Sequence, residues 1–324
     1  MEKRKILIVI AAVFVAVAGI LFSIKIIMNT RTELPYIIYI PKVKAGTDFW
    51  LSVVAGAEMA AKENEATLEI NAPEDEMDVE GQNKLILKAI EKKPDAIVVS
   101  PNSLVGNLEV LKKVKEAGIK LVYIDSASSE HIQDAIIATD NYQAGRKMGE
   151  YAKKNIDENS VIGIVSHVKT SSTATEREKG FRDALGDYES QITEVVYSNS
   201  DYETGYQETM KLLEKYDIDV LACLNENSAV GAARAVVEKG LGGKIIMIGF
   251  DNSTEEIKLL EAGVFSAIVV QRAYSMGYLG IETAVKSVTQ DTWSVNIDSG
   301  SLLITKDNMY NPENQEVLFP FYGN

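Results

Sequence analysis

The stretch PDAIVVSPNSLVGNLEVLKKVKEAGIKLVYID, residues 94–125, carries the pattern that decides the fold. A fully apolar run at 96–99 is followed by a segment with apolar residues at helical spacing, at 105–117, which ends at Gly118. A second apolar run then fills 121–124. A strand, a helix and another strand in this order are typical of a parallel sheet covered by helices.

The same alternation of strand-like and helical patterns extends through most of the chain. Further strand-like runs lie at 36–40, 66–70, 161–165, 193–197, 220–224, 245–250 and 264–270. These strands are too many for a single open sheet in a chain of 324 residues. We therefore predict an α/β protein with two doubly wound parallel-sheet lobes.

The N-terminus carries a membrane signal. Basic residues at 3–5 precede an uncharged, mostly apolar run at 6–24, which as a helix would span roughly 28 Å, close to the hydrocarbon thickness of a bilayer. The flanking positive charge predicts that the rest of the chain lies outside the cytoplasm. A cleaved signal peptide is the alternative, because Ala-Val-Ala at 16–18 resembles a cleavage site. We predict one N-terminal transmembrane helix within an anchor and spacer at 1–32, and hence a single-pass protein of the cell membrane.

The composition excludes some classes of function. The formal net charge of −14 argues against a nucleic-acid partner, which would need a basic surface. The two histidines are too few for a multi-histidine zinc site, and the sequence has no glycine-rich phosphate loop and no serine nucleophile elbow. We therefore predict no enzymatic activity, no metal and no cofactor.

Three features have an ordinary structural interpretation. The single cysteine, Cys223, lies in an apolar stretch and is interpreted as a core residue. The acidic segment at 74–80 predicts a solvated loop. His167 follows a strand-like run and could border a cleft, but a histidine in a surface loop is the favoured interpretation.

Residues that follow the strand-like runs are the candidate ligand contacts, because ligands of open α/β sheets bind beyond the carboxyl ends of the strands. Their types suit a sugar, since aromatic rings pack on its C–H faces and planar polar groups pair with its hydroxyls. A role as turn or cap residues, or in the core for the aromatics, is the alternative for each. The candidates are Phe49, Trp50, Asp125, Ser126, Arg177, Tyr202, Asn225, Asp251 and Gln271.

Several motifs, in their order and spacing, resemble the ribose-binding-protein branch of type 1 periplasmic binding proteins. They are GTDFWLSVVAGAE (46–58), PDAIVVSP (94–101), IATDNYQAGRKMGEY (137–151), EREKGF (176–181), NENSAVGAARA (225–235) and IGFDNS (248–253). The resemblance implies two lobes joined by a three-strand hinge, with the ligand bound between them. The first lobe would hold 35–139 and 272–298, and the second 140–271 and 299–324.

By motif position, the resemblance assigns the ligand contacts to the candidates above and adds Thr47. Ribose binders usually carry an arginine directly after the aspartate of the fourth strand, where this chain has Ser126. The site thereby loses a charged group and gains room, which puts ribose itself in question.

The expected function is an extracytoplasmic solute-binding protein that captures a monosaccharide or related polyol for the permease of an ABC transporter. A membrane-tethered sugar sensor that signals to a histidine kinase or chemoreceptor is the alternative. A transcription regulator of the lac-repressor type is disfavoured, because an apolar segment stands where a DNA-reading helix-turn-helix should be.

Overall fold

The structure is a computed structural model that describes residues 19, 34–43, 47–290 and 295–319. The chain divides into two units, Met1–Pro35 and Tyr36–Asn324. The predicted anchor at 1–32 lies, apart from Gly19, outside the described residues. Among the residues that are described, no helix is both long enough and apolar enough to span a bilayer.

From Tyr36 onward the chain alternates strands and helices. The strands are β1 (Tyr36–Ile40), β2 (Thr67–Ile70), β3 (Ala96–Val99), β4 (Lys120–Ile124), β5 (Ala135–Ala138), β6 (Ile162–Ser166), β7 (Ile192–Tyr197), β8 (Val220–Cys223), β9 (Ile246–Phe250), β10 (Ala267–Gln271), β11 (Val295–Asp298) and β12 (Ser301–Ile304). The helices are α1 (Asp48–Glu63), α2 (Val79–Glu91), α3 (Leu108–Glu116), α4 (Asn141–Lys153), α5 (Ser172–Leu185), α6 (Tyr202–Lys215), α7 (Glu226–Glu238), α8 (Thr254–Glu261), α9 (Ala273–Thr289) and α10 (Pro312–Leu318). A short 3₁₀ helix, Gly186–Gln191, follows α5.

These strands form two six-stranded sheets, one in each lobe. The first sheet has the order β11–β5–β4–β3–β1–β2 and is parallel throughout. The second has the order β12–β10–β9–β8–β6–β7, in which β12 is antiparallel to β10 and the other pairs are parallel. The prediction of two doubly wound lobes is confirmed. Strands β5, β11 and the antiparallel edge strand β12 were not among the predicted strand-like runs.

The central strands are buried on both faces because helices cover each side of each sheet. Every residue of β3 and of β8 is buried, and both strands are continuous apolar runs. A fully buried valine, leucine or isoleucine contributes about 1.5–3 kcal/mol to stability, so these runs hold each lobe together. Cys223 ends β8 inside the core, as its apolar surroundings predict.

Three segments carry the chain from one sheet to the other: β5 to α4, β10 to α9, and β11 to β12. Two of them are hydrogen-bonded to each other. The hydroxyls of Thr139 and Ser299 lie 3.2 Å apart, and the N–H of Asp140 donates to Oδ1 of Asp298 at 3.0 Å. The lobe boundaries predicted from the motifs fall at these crossings and stay a prediction.

Candidate ligand-binding site

Asp125 and Asp251 occupy equivalent positions, directly after β4 in one lobe and β9 in the other. Each has a positive φ, of 70° and 92°, which is costly for a residue with a side chain and needs support from its surroundings. Each N–H donates to the neighbouring strand, to the carbonyl of Ile137 at 3.0 Å and of Val269 at 2.8 Å. The two side chains are 3% and 4% exposed and line the same cavity.

This cavity lies between the lobes and encloses about 330 Å³, including the part that is open to solvent. Most of the predicted candidates meet there: Thr47, Phe49, Trp50, Asp125, Arg177, Asn225, Asp251 and Gln271. Five further residues complete the lining: Lys42, Glu76, His167, Thr173 and Glu226. The first lobe therefore contributes the rings of Phe49 and Trp50, and both lobes contribute acidic and basic groups to one cavity.

The structure does not bring Ser126 and Tyr202 into this cavity. The hydroxyl of Ser126 is buried and donates to the carbonyl of Pro101 at 2.9 Å. Tyr202 begins α6 and lines a different surface depression, together with residues of α7 and α8. Contact of either residue with a ligand stays a prediction that the geometry does not favour.

Arg177 is held rigidly at the cavity wall. Its Nη1 donates to the carbonyl of Leu224 at 2.7 Å and its Nε donates to Oδ1 of Asn141 at 2.8 Å. The guanidinium stacks 3.7 Å from the ring centre of Phe250. Burial lowers the pKa of Arg177, and the nearby Asp251 opposes that shift. Since a guanidinium has five N–H donors, these contacts fix its plane and leave donors for a ligand.

Asp251 is the centre of an acidic network in the second lobe. Nε2 of Gln271 donates to its Oδ1 at 2.7 Å, and the N–H of Glu226 donates to its Oδ2 at 3.1 Å. Burial raises the pKa of Asp251, while Arg177 acts in the opposite direction. Oε1 of Gln271 is buried and has no hydrogen-bond partner among the described residues, which makes it an available acceptor at the cavity wall.

Glu226 belongs to the second lobe but binds the first. Its two carboxylate oxygens accept the N–H groups of Asp48 and Phe49, both at 3.1 Å. These N–H groups open α1, where the helix dipole favours a negative charge. Burial and the neighbouring Asp251 nevertheless raise the pKa of Glu226 to about 8.

Two sequence interpretations need correction. His167 is not a surface histidine: it is 2% exposed, lines the cavity, and has Nε2 2.9 Å from Oγ1 of Thr173. Burial, with Arg177 and Lys42 nearby, lowers its pKa well below the usual value, so the ring is neutral.

The acidic segment 74–80 is not only a solvated loop, because Glu76 also lines the cavity and accepts from Nε1 of Trp50 at 3.0 Å.

Phe49 and Trp50 serve the core and the cavity together. Their rings meet edge to face at a centroid distance of 5.0 Å and an angle of 81°. Both are buried in the apolar core of the first lobe, and both line the cavity. A role in core packing and a role in ligand contact are therefore compatible for both aromatic residues.

A family model described as a periplasmic binding protein domain matches residues 37–291. The chain belongs to the periplasmic binding protein family. Among curated relatives, this periplasmic binding protein is similar to a D-ribose/D-allose-binding protein of Pseudomonas aeruginosa, with 28% identity over 292 residues, which cover 87% of this chain and 91% of the relative. The resemblance to the ribose-binding branch of the type 1 proteins is confirmed.

Solved structures agree with this family. A sugar transporter from Clostridium phytofermentans is 42% identical, with a TM-score of 0.80, and the match covers 84% of this chain and 100% of the other. An ABC transporter solute-binding protein from Agrobacterium vitis, with bound D-fucose, is 30% identical, with a TM-score of 0.83 and coverage of 87% and 99%. The two-lobed architecture of this periplasmic binding protein is thus shared with sugar-related transport proteins.

Proposed function

We propose that this periplasmic binding protein captures a monosaccharide or related polyol in the cavity between its lobes. The observation that carries the proposal is the convergence of Asp125 and Asp251, from opposite lobes, on one cavity. The proposed ligand contacts are the predicted residues that line it.

The chemistry of the wall matches a polyhydroxylated ring. The carboxylates of Asp125 and Asp251 can accept hydrogen bonds from sugar hydroxyls, and the guanidinium of Arg177 can donate hydrogen bonds to hydroxyl oxygens. The rings of Phe49 and Trp50 offer an apolar surface to C–H groups. Polar groups left unpaired in such a buried site cost free energy, which lets the site reject a ligand with a missing hydroxyl. Relatives named for D-ribose and D-allose, and one with bound D-fucose, support a sugar.

Delivery of the ligand to an ABC transporter outside the cytoplasm is the proposed role. The family and the Agrobacterium vitis relative, named as an ABC transporter solute-binding protein, support it.

We also propose that the apolar run at 6–24 tethers the chain to the membrane. That run, continued by Ile26 and Ile27, favours a second candidate, a tethered sensor that signals to a histidine kinase or chemoreceptor.

A ligand screen tests the binding proposal. Thermal shift followed by calorimetry is performed on the purified protein with D-ribose, D-allose, D-fucose, D-arabinose, polyols and nucleosides. A sugar at 100 times its Kd should stabilise the folded protein by about 2.7 kcal/mol and raise its Tm. The Asp251→Ala variant serves as the control, because it should lose this shift. If no sugar or polyol raises the Tm of the wild-type protein, the proposal is wrong.

Cell experiments separate the two roles. Deletion of the gene should abolish uptake of the sugar if the protein serves a transporter, whereas it should abolish only a sugar-induced response if the protein is a sensor. Fractionation of the cells tests the tether. Recovery of the protein in the soluble extracellular fraction would contradict membrane anchoring.

A further inference from the structure

A second cavity adjoins the ligand cavity. It encloses about 890 Å³, including the part that is open to solvent, and is lined by segments of the first lobe (43, 47 and 74–77) and of the second lobe (199–201 and 227). Thr47 and Glu76 line both cavities, so the two cavities share a wall. The groups that form this wall determine how far a bound ligand can extend.

The carboxylate of Glu76 lies in the shared wall and is held from both lobes. Its Oε1 accepts a hydrogen bond from Nε1 of Trp50 at 3.0 Å, within the first lobe. Its Oε2 accepts a hydrogen bond from the hydroxyl of Ser200, in the second lobe, at 2.9 Å. Both contacts are partly buried, so the side chain of Glu76 is fixed across the gap between the lobes.

The hydroxyl of Ser200 lies at the boundary of the two cavities. Ser200 lines the adjoining cavity, whereas its Oγ also accepts a hydrogen bond at 3.3 Å from Nδ2 of Asn225, which lines the ligand cavity. Its φ of 56° is costly for a residue with a side chain. Nδ2 of Asn227 donates to the carbonyl of Ser200, and the N–H of Ser200 donates to Oγ of Ser198. These contacts hold the loop in the conformation that brings the hydroxyl to Glu76.

We propose that Glu76 and Ser200 form a bridge that closes the ligand cavity and limits the size of its ligand. With the bridge in place, the ligand cavity of about 330 Å³ takes one sugar ring, and a substituent directed at the bridge collides with it. Without the bridge, the two cavities join and such a substituent extends into the adjoining one. This inference rests on the proposed sugar-binding function and makes both residues determinants of specificity.

The test compares a sugar with its own mono-O-methyl derivatives, one for each hydroxyl. The sugar is the one that binds the purified full-length protein most tightly among D-ribose, D-allose, D-fucose and D-arabinose. Calorimetry is performed on the wild type and on Ser200→Gly, which removes the bridging hydroxyl and keeps the backbone conformation, because glycine readily adopts a positive φ. Asn199→Gly is the matched control, since Asn199 has a φ of 54° and lines the adjoining cavity but not the ligand cavity.

We expect the wild type to bind at least one derivative about 30-fold more weakly than the parent sugar, because its methyl group meets the bridge. In Ser200→Gly this difference should shrink by at least about 10-fold, whereas the affinity for the parent sugar should fall about 2- to 10-fold through the lost hydrogen bond. Asn199→Gly should reproduce the wild-type affinities. Methylation removes a hydroxyl donor equally for every variant, so that effect cancels in the comparison.

Three results would overturn the inference and leave the sugar-binding function intact. They are unchanged discrimination by Ser200→Gly against every derivative, equal affinity of the wild type for the parent sugar and all derivatives, and an equal gain in Asn199→Gly. If the wild type binds no sugar of the panel, the proposed function fails and the inference fails with it. Should Ser200→Gly not fold, Glu76→Ala breaks the same bridge from the first lobe and is judged by the same comparison.

Discussion

At the scale of single residues, the cavity concentrates buried ionisable groups. Lys42, Arg177, Asp125, Asp251 and Glu226 are all buried, and burial of such groups is costly unless they are hydrogen-bonded and, where charged, paired. Each of them has a defined partner, so their positions are set before a ligand arrives. A prearranged site of this kind reduces the ordering cost of binding.

Glu226 makes the stability of the protein depend on pH. Its pKa is raised to about 8 by burial and by Asp251, whereas an unfolded chain gives glutamate a pKa of about 4.3. Between these values the folded protein holds a proton that the unfolded chain has released. The stabilisation from this proton is full at low pH and is lost as the pH rises through about 8. Asp251 and Glu256, whose pKa values are also raised by burial, act in the same direction.

We predict that Glu226→Gln makes the free energy of unfolding less dependent on pH between about 5 and 8. Each pKa unit of difference corresponds to about 1.4 kcal/mol, so the change in slope should be measurable by urea unfolding at several pH values. Glu158→Gln, at an exposed glutamate, is the matched control and should follow the wild type. Parallel curves for Glu226→Gln and the wild type would contradict the assignment.

Trp50 should contribute to both stability and affinity. We predict that Trp50→Ala lowers the free energy of unfolding by about 3–5 kcal/mol, because it opens a cavity in the core, and also weakens sugar binding. Trp50→Phe should lower stability and affinity less, because it keeps an aromatic ring. Its remaining cost comes partly from loss of the hydrogen bond to Glu76. Urea unfolding and calorimetry on the same preparations separate the two effects. Wild-type affinity in a folded Trp50→Ala protein would assign this residue to the core alone.

At the scale of elements, the ends of the strands were the informative part of the sequence. Apolar runs mark buried parallel strands, and their carboxyl ends must meet at one edge of each sheet, so Asp125, Asn225 and Asp251 could be found without coordinates. His167 directly follows β6, so the same rule would have included it, whereas Glu226 lies three residues after β8, in the first turn of α7.

Other residues that line the cavity were not indicated by any local pattern in the sequence. Lys42, Glu76 and Thr173 come from loops and a helix start, whose direction depends on how the two lobes face each other. Ser126 shows the opposite error, because it follows a strand but turns away to bond Pro101. Strand ends predict which loops border a cavity, whereas the orientation of each side chain depends on tertiary packing.

Close helix packing positions the aromatic wall. Helix α1, which carries Phe49 and Trp50, packs against α9, and a Cβ added at Gly277 would overlap the carbonyl oxygen of Val53. Glycine at this place lets the two backbones approach, so α9 acts as the support behind the cavity wall.

We predict that Gly277→Ala destabilises the protein by about 1–3 kcal/mol, the usual cost of overpacking, despite the better helix propensity of alanine. Gly205→Ala in α6 is the matched control, because a Cβ there would come no closer than 3.3 Å to a neighbouring atom. Urea unfolding of both variants measures the difference. Equal stability of the two would show that the α1–α9 contact adjusts freely.

At the scale of the whole molecule, hydrogen bonds join the two lobes around the cavity. The N–H of Leu104 donates to the carbonyl of Thr170 at 2.9 Å, and the N–H of Thr254 donates to Oδ2 of Asp48 at 3.0 Å. These hydrogen bonds and the contacts of Glu226 join the two lobes in a closed arrangement. A ligand that touches both lobes favours this closed arrangement by its differential affinity for it.

The central claim is that one sugar contacts both lobes at once, and calorimetry on two single variants tests it most directly. Asp125→Ala alters the first lobe and Asp251→Ala the second, with Asp307→Ala, at an exposed aspartate, as the control. We predict that each cavity variant, folded as judged by its unfolding transition, loses at least about 30-fold in affinity, as expected for a binding hot spot. Wild-type affinity in either cavity variant would show that its lobe does not hold the ligand and would contradict the account.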